Sequence, residues 1–163
     1  MEHSFQIITI RQIEAYFGLN LQYKHTGDKP IEIKHNIEIA SELKAKTLHV
    51  RVSISSDGAK QPFRFNVVVE GIFLFKDDIA KDDLERLAHI NCAAIIFPNI
   101  RESVADLTRR AHIPPFHLSP VNFVNLHAQR RASVAKAVKK KIAPKKVALK
   151  KAAPRKKALK KKA

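Results

Sequence analysis

The stretch IIFPNIRESVADLTRRAHIPPFHLSPVNF, residues 95–123, separates a strand-rich N-terminal half of the chain from a lysine-rich C-terminal end. Its first part predicts a helix that ends before Pro114 and Pro115, because apolar residues recur there every three or four positions. Those residues are Ile100, Val104, Leu107 and Ala111. Pro98 lacks an amide proton, so we expect the helix to kink or restart at that residue.

A second helix is expected after Ser119 and Pro120, since a capping hydroxyl followed by proline is typical of a helix start. This helix begins with Phe123 and Leu126. An earlier helical segment follows Lys76, and Asp77 or Asp78 is its predicted N-cap. We interpret Asp77, Asp78, Asp82 and Asp83 together as a solvated helix start.

Four segments before these helices have the apolar alternation of β-strands. The first spans residues 5–23, with a bulge or bend expected near Gly18, and the second carries Ile31, Ile33, Ile37 and Ile39. The third spans 47–55, and Asp57-Gly58 predicts a hairpin into the fourth, which spans 63–75. Strands first and helices afterwards predict an α+β fold, in which a four-stranded antiparallel sheet is followed by two helices.

Charge divides the 163-residue chain into two parts. Residues 130–163 contain 16 of the 31 Lys and Arg residues and none of the 15 Asp and Glu residues, so residues 1–129 are formally neutral. The C-terminal part also repeats itself, since APKKVALKK (143–151) is followed by APRKKALKK (153–161). We therefore predict a folded domain at 1–129 and a Lys/Ala/Pro-rich tail at 130–163, disordered from about Lys136 onward, with some frayed helix at 128–140.

Such a basic tail binds polyanions by releasing their counterions, without reading a base sequence. RNA, DNA or an anionic lipid surface are all suitable partners, and a solubilising role without a specific partner stays open. The candidate polyanion-binding residues are Lys139, Lys140, Lys141, Lys145, Lys146, Lys150, Lys151, Arg155, Lys156, Lys157, Lys160, Lys161 and Lys162.

Motifs of enzymes are not found in the sequence. Four glycines do not form a phosphate-binding loop, and eight scattered histidines include no pair at HxxxH spacing. The single cysteine, Cys92, is expected to fill apolar space. We therefore predict a protein that is not an enzyme and has neither cofactor nor metal. Because no signal peptide or membrane-length apolar run is visible, we expect a cytoplasmic location and no membrane span.

Residues 71–126 resemble the SecB family of protein-export chaperones. The resemblance rests on three groups of residues: Gly71-Ile72-Phe73; Ile95-Ile96-Phe97-Pro98 with Arg101-Glu102; and Pro115, Leu118, Pro120-Val121-Asn122-Phe123 and Leu126. Residues 4–70 resemble the family more loosely, through strand order. The resemblance implies an ATP-independent holdase that assembles as a homotetramer, a dimer of dimers. Such a protein binds unfolded or precursor polypeptides in apolar grooves during export.

The same resemblance implies where the functional residues lie. The family's grooves run between the second strand, with its preceding crossover loop, and the second helix. The implied client-binding residues are Ile31, Ile37, Ile39, Phe116, Leu118, Phe123 and Leu126. Residues expected to serve the fold or the oligomer are Gly71, Phe97, Pro98, Arg101 and Glu102. The family also docks the SecA motor, although Asn66 stands where family members carry an acidic docking residue.

The sequence is also compatible with a second function. In that alternative the protein is nucleic-acid-associated, and the folded domain serves only to oligomerise a histone-like tail and raise its avidity.

Overall fold

One antiparallel sheet forms the framework of the fold. The computed structural model describes residues 5–25, 31–58, 60–75 and 80–142, with the backbone alone for 81–82 and 134–142. The strands are β1 (Phe5–Leu19), β2 (Asn36–Lys44), β3 (Thr47–Ser56) and β4 (Phe63–Phe75). Their order across the sheet is β1-β4-β3-β2, so β1 and β2 are the edge strands. Together with the helices described below, this arrangement confirms the predicted fold class.

The β3–β4 connection follows the prediction, whereas β2 begins later than expected. Gly58 has a φ of 66°, the positive value that the hairpin requires. Ile31 and Ile33 precede β2 instead of extending it. The reason is that the backbone at Lys34 bonds a side chain: its N–H donates to Gln61 Oε1 (2.6 Å), and its carbonyl accepts from Gln61 Nε2 (3.2 Å).

The irregularities of β1 lie at other positions than predicted. The register against β4 shifts between Ile7 and Thr9 and again between Gln12 and Glu14, not near Gly18. The strand also stops at Leu19 instead of continuing to Tyr23. Asn20 ends it, because its side-chain amide donates to the carbonyls of Gly58 (3.1 Å) and Gln61 (3.0 Å).

The first helical region is continuous. It consists of α1 (Lys81–Arg86), a π-helical segment (Leu87–Cys92) and α2 (Ala93–Arg110), with helical dihedral angles at both junctions. The helix therefore does not restart at Pro98. Because Pro98 has no N–H, the backbone carbonyl of Ala94 lacks its usual helical donor. Ala94 and Pro98 both lie on the exposed side of α2, where water can donate to this carbonyl instead. The predicted caps Asp77 and Asp78 lie outside the described residues.

The last helix, α3 (Phe123–Ile142), begins at Phe123 as predicted, but its cap differs from the predicted one. Ser119 and Pro120 lie before it, and Asn122 is the cap: its Oδ1 accepts from the Asn125 N–H at 3.1 Å. The backbone stays helical across the predicted domain boundary at 129/130 and past Lys136. The rest of the predicted tail, residues 143–163, lies outside the described residues.

The core lies between α2 and one face of the sheet. Ile96, Ile100 and Val104 of α2 are fully buried, as are Val50, Val52 and Val67 of the sheet. Gly71 permits this close approach, because a Cβ at that position would lie 2.9 Å from Ile96 Cδ1. Among the described residues, none of the helices has the length and apolarity needed to cross a membrane.

Candidate functional site

A groove of about 850 Å³ lies between the β2 edge of the sheet and α3. Its apolar lining includes Ile37 and Ile39 from β2 and Leu126 from α3. Its polar lining includes Arg130 and two histidines, His89 of the π-helical segment and His127 of α3. The groove therefore combines aliphatic side chains with a basic and imidazole-rich wall.

Arg130 connects the two walls of this groove. Its Nη1 donates to the backbone carbonyl of Ile39 at 2.7 Å and also lies 3.1 Å from Nε2 of His89. One guanidinium group thus joins α3 to β2 and to the π-helical segment. Because hydrogen bonds from a charged donor are stronger than neutral ones, this contact helps set the distance between the groove walls.

The two histidines pack against each other beside Arg130. The rings of His89 and His127 have centroids 5.5 Å apart, and Nδ1 of His89 lies 2.9 Å from the backbone carbonyl of Glu85. Burial lowers the pKa of His127, and the nearby His89 adds to this effect. Nδ1 of His127 is buried without a hydrogen-bond partner. One ligand atom from each of Glu85, His89 and His127 lies within 4.8 Å of the other two, so these residues could hold a metal ion.

Comparison with known proteins places the chain in a family. Residues 6–134 match the family model described as "Preprotein translocase subunit SecB". The chain belongs to the SecB family. This finding confirms the resemblance that the sequence motifs indicated.

Two curated SecB relatives and one solved structure illustrate the similarity. The protein-export protein SecB of Methylobacillus flagellatus is 37% identical over 89 residues, or 54% of this chain and 56% of that protein, so the chain spans only about half of that relative. SecB of Burkholderia mallei is 29% identical over 116 residues, covering 69% of this chain and 72% of that protein. A Mycobacterium tuberculosis SecB-like chaperone, solved in complex with an antitoxin peptide, has a TM-score of 0.60 at 20% identity. That alignment covers 72% of this chain and 90% of that one, and it supports the same fold.

The residues that the SecB resemblance implied for client binding divide into three groups. Ile37, Ile39 and Leu126 lie together in the groove. Ile31 is 45% exposed and does not belong to the groove lining. Phe116, Leu118 and Phe123 do not belong to the groove lining: Leu118 and Phe123 are buried in the core, as is Ile39 of the groove, and Phe116 is partly buried against it.

Specific contacts explain why those three side chains are held in the core. Phe123 packs edge-to-face on Phe97, with ring centroids 5.4 Å apart. The ring of Phe116 packs edge-to-face on that of Phe63, with centroids 5.8 Å apart. Leu118 is 1% exposed, and its backbone carbonyl accepts from Nε of Arg101 at 3.0 Å. The apolar segment before α3 therefore covers the sheet and α2 instead of lining the groove.

The residues expected to serve the fold or the oligomer have different environments. Gly71 and Phe97 lie in the interior, and Arg101 joins α2 to the segment before α3 through the Leu118 carbonyl. Pro98 and Glu102 lie exposed on α2.

Cys92 and the basic residues complete the predicted set. Cys92 is fully buried, and burial raises the pKa of its thiol to about 12, so the thiolate is not available as a nucleophile at neutral pH. Lys139, Lys140 and Lys141 fall within the helical backbone of α3. The other predicted polyanion-binding residues lie outside the described part of the chain.

Arg130, His89 and His127 of the groove were not predicted from the sequence, although spacing could have revealed the first two. Leu126, Gln129, Arg130 and Ser133 follow an i, i+3, i+4, i+7 pattern, so they share one face of α3, but Arg130 was assigned to the tail by its charge. Glu85 and His89 stand four positions apart, the spacing of two ligands on one helical face. His127 has no such signal, because only the packing of α3 brings it next to His89.

Proposed function

We propose that this protein is an ATP-independent holdase chaperone that binds unfolded polypeptides in the groove between β2 and α3. The observation that supports this function best is the groove itself, in which Ile37, Ile39 and Leu126 line a space of about 850 Å³. A groove of this kind can bury the apolar side chains that an unfolded chain exposes.

Two interactions would bind a client: burial of its apolar side chains in the groove, and backbone hydrogen bonds to the open edge of β2. Each large aliphatic or aromatic client side chain that is fully buried contributes about 1.5–3 kcal/mol. β2 pairs only with β3 within the described sheet, so its outer edge offers backbone groups to an extended peptide. Neither interaction requires a particular client sequence, which suits a chaperone with many clients.

The relatives' name, protein-export protein, supports a role in export, and the SecB family supports assembly as a homotetramer, a dimer of dimers. Edge strand β1 is suited to such an interface. It exposes large apolar side chains on a single-chain surface, namely Ile7, Ile8, Ile13, Tyr16 and Leu19. A precursor polypeptide would then be shared among the grooves of several subunits, and avidity would compensate for weak individual contacts.

SecA is a further candidate partner. Asn66 replaces the acidic docking residue that the family resemblance implies at this point of β4. However, Nδ2 of Asn66 donates to Oε1 of Glu14 at 2.7 Å, so a carboxylate from β1 lies directly beside it. Glu14 could therefore supply the negative charge for docking. Loss of SecA binding in Glu14→Gln, with no loss in Glu42→Gln, is the expected result in a pull-down with purified SecA.

The basic segment 130–163, whose first part continues α3 as far as Ile142, would direct the chaperone to polyanions such as RNA, DNA or an anionic lipid surface. It carries 16 Lys and Arg residues without one acidic residue. The alternative function is a nucleic-acid-associated protein whose folded domain only oligomerises this tail. The charge of the tail favours this nucleic-acid-associated function, but such a function gives the groove no role.

Suppression of client aggregation separates the two functions. A truncated protein, residues 1–142, keeps all of α3 and loses ten of the tail's basic residues. If the groove is the working site, this protein prevents aggregation of a chemically unfolded client without nucleotide, as the full chain does. If 1–142 holds no client while the full chain binds RNA or DNA tightly, the chaperone function is wrong.

A further inference from the structure

We propose that Glu85, His89 and His127 form a binding site for a zinc ion beside the groove. The site would join the first helical region to α3, which come together only in the folded chain. This proposal does not depend on the chaperone function, because it rests on the geometry of three side chains.

The first observation is that the three possible ligands already lie close together. One ligand atom from each residue lies within 4.8 Å of the other two. In a tetrahedral zinc site, ligand atoms lie about 3.4 Å from one another, since Zn–N distances are about 2.0–2.1 Å. Glu85 is exposed, so its carboxylate can move toward the two histidines without disturbing the core.

The second observation is the unsatisfied nitrogen of His127. Nδ1 is buried without a hydrogen-bond partner, and the side chain is only 9% exposed. A buried polar atom without a partner is destabilising and calls for an explanation. Coordination of a metal ion through this nitrogen would satisfy it.

The third observation is that His89 is already oriented as a ligand. Its Nδ1 lies 2.9 Å from the Glu85 carbonyl, which can only accept, so Nδ1 carries the proton. Nε2 then presents its lone pair. Metal-binding histidines commonly have this arrangement, in which one nitrogen donates to a carbonyl and the other binds the ion.

Arg130 competes with the metal ion for His89. Its Nη1 lies 3.1 Å from the His89 Nε2 lone pair, while the same nitrogen donates to the Ile39 carbonyl. Zinc binding must displace the guanidinium from His89, which opposes binding both through the lost hydrogen bond and through charge repulsion. Removing this charge should therefore tighten zinc binding.

Two imidazoles and a carboxylate favour zinc over magnesium or calcium, which prefer oxygen ligands. Three protein ligands leave the fourth position to water. Since His89 and His127 come from different elements, a bound ion would tie the π-helical segment to α3 and stabilise the folded state.

The test is a zinc titration of the full-length protein after removal of metal with a chelator. Zinc affinity is measured in competition with a chromophoric chelator, and the melting temperature is recorded with and without zinc. We expect Glu85→Gln and His127→Ala to weaken zinc binding about 10-fold or more and to abolish the zinc-dependent rise in melting temperature. The matched control, His117→Ala, removes an exposed histidine outside the cluster and should behave like the wild type.

Two further results make the proposal falsifiable even if His127→Ala folds poorly. Glu85→Gln changes an exposed side chain and should keep the fold, which circular dichroism checks. Arg130→Met should bind zinc more tightly than the wild type. Equal zinc affinity in the wild type, Glu85→Gln and His117→Ala would overturn the proposal, and so would weaker binding in Arg130→Met.

Discussion

Arg130 of α3 donates a hydrogen bond to the backbone carbonyl of Ile39 in β2, with 2.7 Å between Nη1 and the oxygen. This contact links the helix to an edge strand of the sheet and borders the groove that we propose for client binding. Arg130 therefore packs with the folded domain, although the charge distribution predicted that this domain ends at residue 129.

Replacing Arg130 tests this link. Arg130→Ala should lower the free energy of unfolding by about 1 kcal/mol, because a charged donor to a partly buried carbonyl is lost. It should also weaken client binding, since α3 is less firmly held against β2. Urea denaturation and a client titration measure the two effects. Arg131→Ala, at the next and exposed position of α3, is the control. If both variants lose the same stability, the contact with Ile39 has no special role.

Phe123 tests the distinction between core and groove. Phe123→Ala should lower the free energy of unfolding by about 3–5 kcal/mol, because the ring is 6% exposed and packs on Phe97. Urea denaturation followed by circular dichroism measures the loss. Val124→Ala, at an exposed neighbouring position, should cost little. If Phe123→Ala instead left the free energy of unfolding unchanged and abolished client binding, Phe123 would be a client-binding residue and not a core residue.

Glu70 makes the stability of the sheet sensitive to acid. It is 1% exposed and accepts from Arg11 (2.7 Å) and from Arg51 (3.0 Å) on the two neighbouring strands. Burial alone would raise the pKa of Glu70, but the hydrogen bonds and charges of these arginines outweigh it and hold the pKa below its ordinary value of 4.5.

The sign of the pH effect follows from this shift. A carboxylate with a lowered folded-state pKa stabilises the fold at pH values above 4.5, and the contribution is lost as pH falls through the folded-state pKa. Glu70→Gln should therefore lower the free energy of unfolding at pH 7, by about 2 kcal/mol, and reduce its dependence on pH below 4.5. Urea titrations across this range test the prediction, with exposed Glu42→Gln as control. Parallel pH profiles for the wild type and Glu70→Gln would contradict it.

The tail should determine polyanion binding and nothing else. Removing residues 143–163 takes away ten Lys and Arg residues, so RNA and DNA binding should weaken and lose most of its dependence on salt. Mass per oligomer and client holding should stay unchanged. Electrophoretic shifts at several salt concentrations and sedimentation measure these properties. A control chain with the ten residues changed to Gln keeps the length. Monomers after truncation would show that the tail contributes to assembly.

Periodicity in the sequence predicted most of the fold. β3 follows a clean alternation, and β4 does so as far as Val69, because each has one face buried against α2. The Asp57-Gly58 pair indicated the turn, in which Gly58 has a positive φ. The start of β2 was not predictable, since it depends on hydrogen bonds from Gln61, which lies 27 residues further along the chain from Lys34. The cap of α3 was misplaced because Ser119 and Asn122 are both good caps and only tertiary packing selects between them.

The candidate site was less predictable than the fold. Family resemblance indicated Ile37, Ile39 and Leu126, which the folded chain brings into one groove. It could not separate them from Phe116 and Phe123, because apolar residues before and in a helix suit a core as well as a groove. Local spacing could also not place His127 beside His89, since these two residues are 38 positions apart in the sequence.

The most direct test of the central claim compares Leu126→Asp with Val124→Asp. Leu126 faces the groove, whereas Val124 is 57% exposed elsewhere on the same helix. Both variants add one negative charge to α3, so they differ mainly in which surface they change. The measurement is the affinity of each variant for a permanently unfolded polypeptide, after sedimentation and circular dichroism have confirmed an unchanged assembly and fold. We predict that Leu126→Asp loses about 10-fold or more, since burying a leucine-sized contact is worth about 1.5–3 kcal/mol, while Val124→Asp keeps wild-type affinity. Equal affinity in the two variants would contradict client binding in this groove.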